Sequence, residues 1–154
     1  MKTLLYGGND PLVIKNLKEN LDVRCTIHSI DGLDKDFSNY DLVRDNFKKT
    51  PSFDSEGQKI YQKFFEENFT RFCTMIVRRG LFLSDFHDLR DEFSLYFYSI
   101  LEILKSRDIQ LVLFFNLPHD GVDFILYKLA KLLNIKTVLL YQSIFSNRFF
   151  IFKD

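Results

Sequence analysis

"FFNLPHDGVDFILYKLAKLLNIKTVLLYQ", residues 114–142, carries the reading on which the fold rests. An apolar run from Ile109 to Phe115 stops at Asn116 and gives way to Pro118-His119-Asp120-Gly121. From Gly121 to Leu133 apolar residues return at helical spacing, with Val122, Ile125, Leu126, Leu129, Leu132 and Leu133 on one face. A second apolar run, Lys136 to Tyr141, follows. Unbroken apolar runs of this length mark strands buried on both faces. Two such strands joined by a helix form a parallel βαβ unit.

The same grammar opens the chain. Lys2 to Tyr6 reads as a short buried strand, followed by Gly7-Gly8-Asn9-Asp10-Pro11. Asp10 is placed to cap a helix and Pro11 to begin it, where its missing N–H costs nothing. Val13, Ile14, Leu17 and Leu21 supply the apolar face, and Val23 to Ile30 alternates as a second strand. Asp31 to Gly57 is polar, and a structureless loop of that length implies a hidden short element. A strand or turn around Tyr40 to Val43 is the expectation. Two long helices follow, the first with Tyr61, Phe65, Phe69, Phe72 and Ile76 on one face. The second, opened by Ser84 or Asp85, carries Phe86, Leu89, Phe93, Tyr96, Phe97, Ile100, Ile103 and Leu104. Aromatic stripes at this spacing read as core. Phe149 to Phe152 reads as a last strand. Residues 1–154 thus form one α/β domain around a mostly parallel sheet.

Composition excludes several classes. Basic and acidic residues balance at 21 each, so no net field draws the chain to nucleic acid or an anionic membrane. No stretch approaches the ~20 apolar residues that span a bilayer, and the N-terminus has too short an apolar run for a signal peptide. Cys25 and Cys73 lie far apart without metal-type spacing, which suits free thiols in a reducing compartment. The Asn68-Phe69-Thr70 sequon sits inside a helical pattern and reads as accidental. A cytoplasmic protein without a transmembrane segment is expected.

In an open α/β sheet, ligands bind beyond the carboxyl ends of the strands. Three loops fall there. Gly7, Gly8 and Asn9 let backbone approach a ligand at a helix mouth, but they lack phosphate-loop spacing, so a tight turn is the plainer reading. Asn116 to Gly121 holds His119, the one histidine in a plausible strand-end loop. Imidazole is the side chain whose charge changes nearest neutral pH. Asp120 would orient it or accept from sugar hydroxyls, and Gly121 would expose the helix mouth. The alternative is an Asp120 cap, a Pro118-stiffened turn and a solvated His119. The third loop offers Gln142, Ser143, Ser146, Asn147 and Arg148, whose amides, hydroxyls and guanidinium suit a sugar or phosphate. Asp34-Lys35-Asp36 has an acid-x-acid form without a flanking apolar strand. Asp85-Phe86-His87-Asp88 equally fits the first turn of a helix. No metal set and no nucleophile motif is present.

The run Phe114-Phe115-Asn116-Leu117-Pro118-His119-Asp120-Gly121, then Leu126-Tyr127 to Ile135-Lys136-Thr137, then Gln142 and Asn147-Arg148-Phe149, resembles the N-terminal part of bacterial capsular polysaccharide biosynthesis proteins. These are glycosyltransferase-like chains with two Rossmann-type domains, which read Pro-His-acid-Gly after one strand and Asn-Arg-Phe after the next. The resemblance is concentrated in the last third of the chain. It implies a Rossmann-like three-layer domain, similar to the N-terminal half of a GT-B glycosyltransferase. It also implies a role in surface-polysaccharide synthesis, with His119 and Asp120 nearest the chemistry. Gly7, Gly8, Asn9, Asn116, Gly121, Gln142, Asn147 and Arg148 would contact substrate. The N-terminal half of that architecture binds a sugar or glycan acceptor, and a C-terminal domain holds most contacts to a nucleotide-sugar donor. No cofactor is implied. Because the sequence stops at Asp154, a second domain or partner chain is expected to complete catalysis. Two rival readings stay open: a non-catalytic nucleotide or phosphosugar binding module, and an interaction domain docking through Phe149 to Phe152.

Overall fold

A computed structural model of the chain describes residues 1–8, 10–28, 36–44, 55–78, 85–142 and 149–153. β1 (Thr3–Tyr6) leads into α1 (Pro11–Asn20). The Asp10 carboxylate caps α1, accepting the backbone N–H of Leu12 at 2.9 Å and of Val13 at 3.4 Å. β2 (Val23–His28), β3 (Phe37–Ser38) and α2 (Asn39–Arg44) follow, then the long α3 (Ser55–Arg78) and α4 (Phe86–Ser106). β4 (Leu111–Phe114), α5 (Gly121–Leu132), β5 (Lys136–Gln142) and β6 (Phe149–Lys153) complete the order.

The strands form one six-stranded sheet in the order β3-β2-β1-β4-β5-β6. Every neighbouring pair is parallel except β5 and β6. This is an α/β sheet of Rossmann-like strand order, mostly parallel as the apolar runs require. Register sorts the buried side chains by face. Leu4, Val112 and Thr137 lie in one row across β1, β4 and β5, and Tyr6, Phe114 and Leu139 in the next. On that face Leu4, Cys25, Ile27, Val112, Phe114 and Leu139 merge with the inner surfaces of α3, α4 and α5 into one core. Leu5 and Leu113, pointing the other way, are buried too, so the central strands are covered on both sides.

Aromatic rings hold the helical layer together. The Phe93 ring on α4 meets Phe65 and Phe69 edge-on at 5.5 and 5.6 Å, and Phe72 at 5.2 Å. Phe64, absent from the expected stripe, is buried as well and lies 5.8 Å from Phe93. Tilted and edge-on contacts of this kind add to the burial of apolar area.

Four expectations need correction. Tyr40 to Val43 is helical rather than strand or turn. Ser38 and Asp41 form the reason: the Asp41 carboxylate accepts the Ser38 backbone N–H at 2.7 Å, and the Ser38 hydroxyl accepts the Asp41 N–H at 3.0 Å. That reciprocal cap starts a helix. Val13 and Phe86, assigned inward by periodicity, sit in the first turns of α1 and α4 and are exposed. Leu132 is exposed in the last turn of α5. At helix ends, one partner turn is missing, and spacing alone overstates burial. Asp85 does cap α4, accepting the His87 N–H at 2.9 Å, whereas Ser84, Ile30 and Pro51 lie outside the described residues.

Phe93→Ala should lower unfolding free energy by ~3–5 kcal/mol, as for other buried aromatic truncations. Phe86→Ala, which loses one edge contact to Phe69, should cost less than about 1.5 kcal/mol. Urea denaturation of both variants checks the ranking, and the reverse order would contradict the packing described.

Candidate functional site

Parallel pairing decides which loops meet. β1, β4 and β5 are adjacent and run the same way, so the segments leaving Tyr6, Phe114 and Gln142 emerge along one rim. The chain turns towards β2 from β1 and towards β5 from β4, which makes the β1–β4 boundary the switch point of the sheet. Gly7-Gly8 and the segment from Phe115 to Gly121 flank it. At Gln142 the antiparallel pairing with Phe149 returns the chain to the same rim. Asn9, Ser143, Ser146, Asn147 and Arg148 lie outside the described residues.

At the first loop, Gly7 donates its N–H to Ile27 O at 2.9 Å, and Phe115 donates to Tyr6 O at 3.1 Å. Gly7 and Gly8 both take positive φ, 81° and 91°, a conformation glycine adopts without a side-chain clash. A Cβ on Gly8 would stand 3.1 Å from the Phe115 ring. The space freed by the missing side chain is therefore filled by an aromatic ring of the protein itself. Gly121 is similarly enclosed: a Cβ there would meet Ile76 Cδ1 at 2.6 Å and Phe72 Cε2 at 2.7 Å, so glycine lets α5 approach α3.

The second loop holds His119. The His119 Nδ1 lies 2.7 Å from Leu117 O. A carbonyl oxygen only accepts, so Nδ1 carries the hydrogen and the neutral ring keeps Nε2 as an acceptor. The ring is largely exposed, and the carboxylate nearest it is Asp123 rather than Asp120, with Oδ2 3.5 Å from Nδ1. Asp123 Oδ2 also accepts the His119 backbone N–H at 3.0 Å, and Oδ1 accepts that of Asp120 at 2.7 Å. Asp120 and Asp123 together form a capping box over α5. Asn116 is exposed, and its Oδ1 accepts the Leu117 N–H at 2.9 Å.

Asp123 is only 4% exposed. Burial pushes its carboxyl up from 3.8 to about 6, outweighing the two backbone donors that favour the charged form. Residue-by-residue reading of the motif passed over it, although Asp120-x-x-Asp123 has the spacing of a capping box. His28 was also missed. It is the last residue of β2, buried at the same rim beside the Gly7 strand.

The remaining candidates have local work. The Asp36 carboxylate accepts Thr26 N and Oγ1 at 2.8 and 3.0 Å and pairs with Arg107 at 3.3 Å; Asp34 and Lys35 lie outside the described residues. Cys25 and Cys73 are free. Burial pushes the Cys25 thiol up to about 12, which removes it as a nucleophile at neutral pH. Among the described residues no cluster of three His, Cys, Asp or Glu is placed to hold a metal ion, and no helix is long and apolar enough to cross a membrane. Comparison of the chain with models of protein families, with curated proteins and with solved structures gave no match.

Because the native Asp123 carboxyl holds its proton to higher pH than an unfolded aspartate, this group favours folding most at low pH. Its contribution then declines between pH ~4 and ~6 and stays low above that. At roughly 1.4 kcal/mol per pH unit, the decline is on the order of 2–3 kcal/mol. In Asp123→Asn this slope should vanish, so the stability difference between variant and wild type should move towards the variant over that window. Denaturant melts at a series of pH values measure it, and parallel pH profiles would contradict the assignment.

Proposed function

We propose that this chain is a glycosyltransferase-like domain of bacterial capsular or surface-polysaccharide biosynthesis, working on the acceptor side of a two-domain, GT-B-type enzyme in the cytoplasm. The reading is supported by the motif resemblance around Pro118-His119-Asp120-Gly121 and by a Rossmann-like strand order whose switch point lies beside that motif. The observation that carries it is the chemistry of the two helix mouths. A helix N-terminus ordinarily attracts phosphate through its open N–H groups. Here Asp10 occupies those of α1, and the Asp120–Asp123 box caps α5. Fixed carboxylates repel a phosphate and accept hydrogen bonds from hydroxyls, which favours a neutral glycan over a nucleotide at this part of the rim.

In this reading His119 Nε2 takes the proton of the acceptor hydroxyl as that oxygen attacks the anomeric carbon of a nucleotide-sugar donor, and the nucleoside diphosphate leaves. The Leu117 carbonyl and the Asp123 carboxylate hold the ring by its other nitrogen and so orient Nε2 outward. Asp120 and Asn116 accept or donate to neighbouring sugar hydroxyls, with Gln142, Asn147 and Arg148 assigned to the same substrate. Donor contacts belong to a C-terminal domain or partner chain. The rival reading of Gly7-Gly8 as a phosphosugar cradle is weakened by the Phe115 ring packed on Gly8.

In a thermal-shift series on this chain, acceptor-type oligosaccharides should raise the melting temperature more than nucleotide sugars do. In the full enzyme, His119→Ala should reduce transfer ~10²–10⁴-fold, the usual worth of a positioned general base. Stabilisation by nucleotide sugars alone, or unchanged transfer and acceptor affinity in His119→Ala, would overturn the assignment.

A further inference from the structure

β6 is the outermost strand of the sheet, paired with β5 on one side. Among the described residues no strand pairs with its other side, which leaves a row of backbone donors and acceptors open. Phe150, Ile151 and Phe152 are 56%, 62% and 48% exposed. Successive residues of a strand point to opposite faces, so this edge is apolar above and below the sheet. Tyr141, which sits opposite Phe150 on β5, is exposed as well and widens one face. A helix lying on the edge would cover one face and leave the backbone row open. A strand with apolar residues on both faces would satisfy all three surfaces, and β6 is itself such a strand.

We propose that β6 is the contact edge of a two-fold dimer of this chain, in which two copies pair antiparallel through β6 and join their sheets. Charge selects the direction. Lys153 is the one charged residue of the strand and stands at its end. In antiparallel pairing centred on Ile151, each Lys153 falls opposite position 149 of the other copy, at far ends of the contact. Parallel pairing would set the two ammonium groups side by side, which is unfavourable. Area sets the strength. A phenylalanine buries ~150–250 Å², so three half-exposed side chains offer on the order of 300 Å² per copy. A standard stable interface takes ~800 Å² per partner. The contact is therefore a reversible dimer, not an obligate one. It is independent of the glycan reading, since it uses the sheet edge and not His119.

Sedimentation velocity of the full chain from micromolar to submillimolar concentration should show a monomer–dimer equilibrium. Changing Phe150 and Phe152 together to Ser should weaken it at least tenfold while leaving the circular dichroism and melting temperature near those of the wild type. Directly opposed residues of antiparallel strands have Cα atoms ~4.5–5.5 Å apart, within disulfide reach. Under mild oxidation Ile151→Cys should therefore give a linked dimer. Phe150→Cys should not link to itself but should link to Phe152→Cys in a mixture, with the wild type as the control for Cys73. A chain that stays monomeric throughout, association unaffected by the double serine change, or equal linkage at all three positions would each overturn the proposal.

Discussion

The pairing of β1 with β4 is the constraint on which the molecule depends. Leu4 lies beside Val112 and Tyr6 beside Phe114, although more than a hundred residues separate them in the chain. The pairing begins at Lys2, whose carbonyl accepts the N–H groups of Gln110 and Leu111 and whose ammonium group meets Asp108 at 2.7 Å. The exposed ion pair adds little energy by itself. The backbone bonds and the burial of both strand faces bear the load, because an unpaired peptide group in that interior would be costly. Once β1 and β4 are side by side, the direction and order of the other parallel strands follow, and so does the placement of two loops across a single crevice.

The helical layer serves that pairing from one side. Phe72 and Ile76 of α3 press against Gly121, and Phe93 of α4 anchors the rings of α3. The first turn of α5 is thus packed closely against α3. A motif held by rigid aromatic packing keeps its outward groups in one geometry, a requirement for any site that positions a proton acceptor. Asp123 illustrates the tension in this arrangement. Burial opposes its charge, while two backbone N–H groups and the His119 ring favour it. The carboxyl therefore sits near a balance that an exposed capping residue would not reach.

The glycines of the rim have packing work of their own. Gly8 and Gly121 carry the residue type of a ligand cradle, and each makes room for side chains of the protein: Phe115 at Gly8, Phe72 and Ile76 at Gly121. Helix mouths that would attract phosphate are occupied by Asp10, Asp120 and Asp123. At the described part of the rim the exposed side chains include Asp10, Asn116 and His119, each of which can accept hydrogen bonds.

Local physics was legible in the sequence. The caps at Asp10 and Asp85, the apolar runs of β4 and β5 and the α5 face between them follow from interactions within a few residues, where spacing is informative. The parallel sheet was legible too, because strands buried on both faces leave unbroken apolar runs. The antiparallel return of β6 was not, since an apolar run has no direction. Tyr40 to Val43 misled because a four-residue reciprocal cap outweighed the expectation of an extended chain. The exposure of Val13, Phe86 and Leu132, the Phe115 ring over Gly8 and the burial of Asp123 were decided only in the tertiary structure. Each depends on what a distant element brings to, or withholds from, that spot. Sequence alone determined which residues stand at the strand ends; long-range packing decided which of them keep an open face.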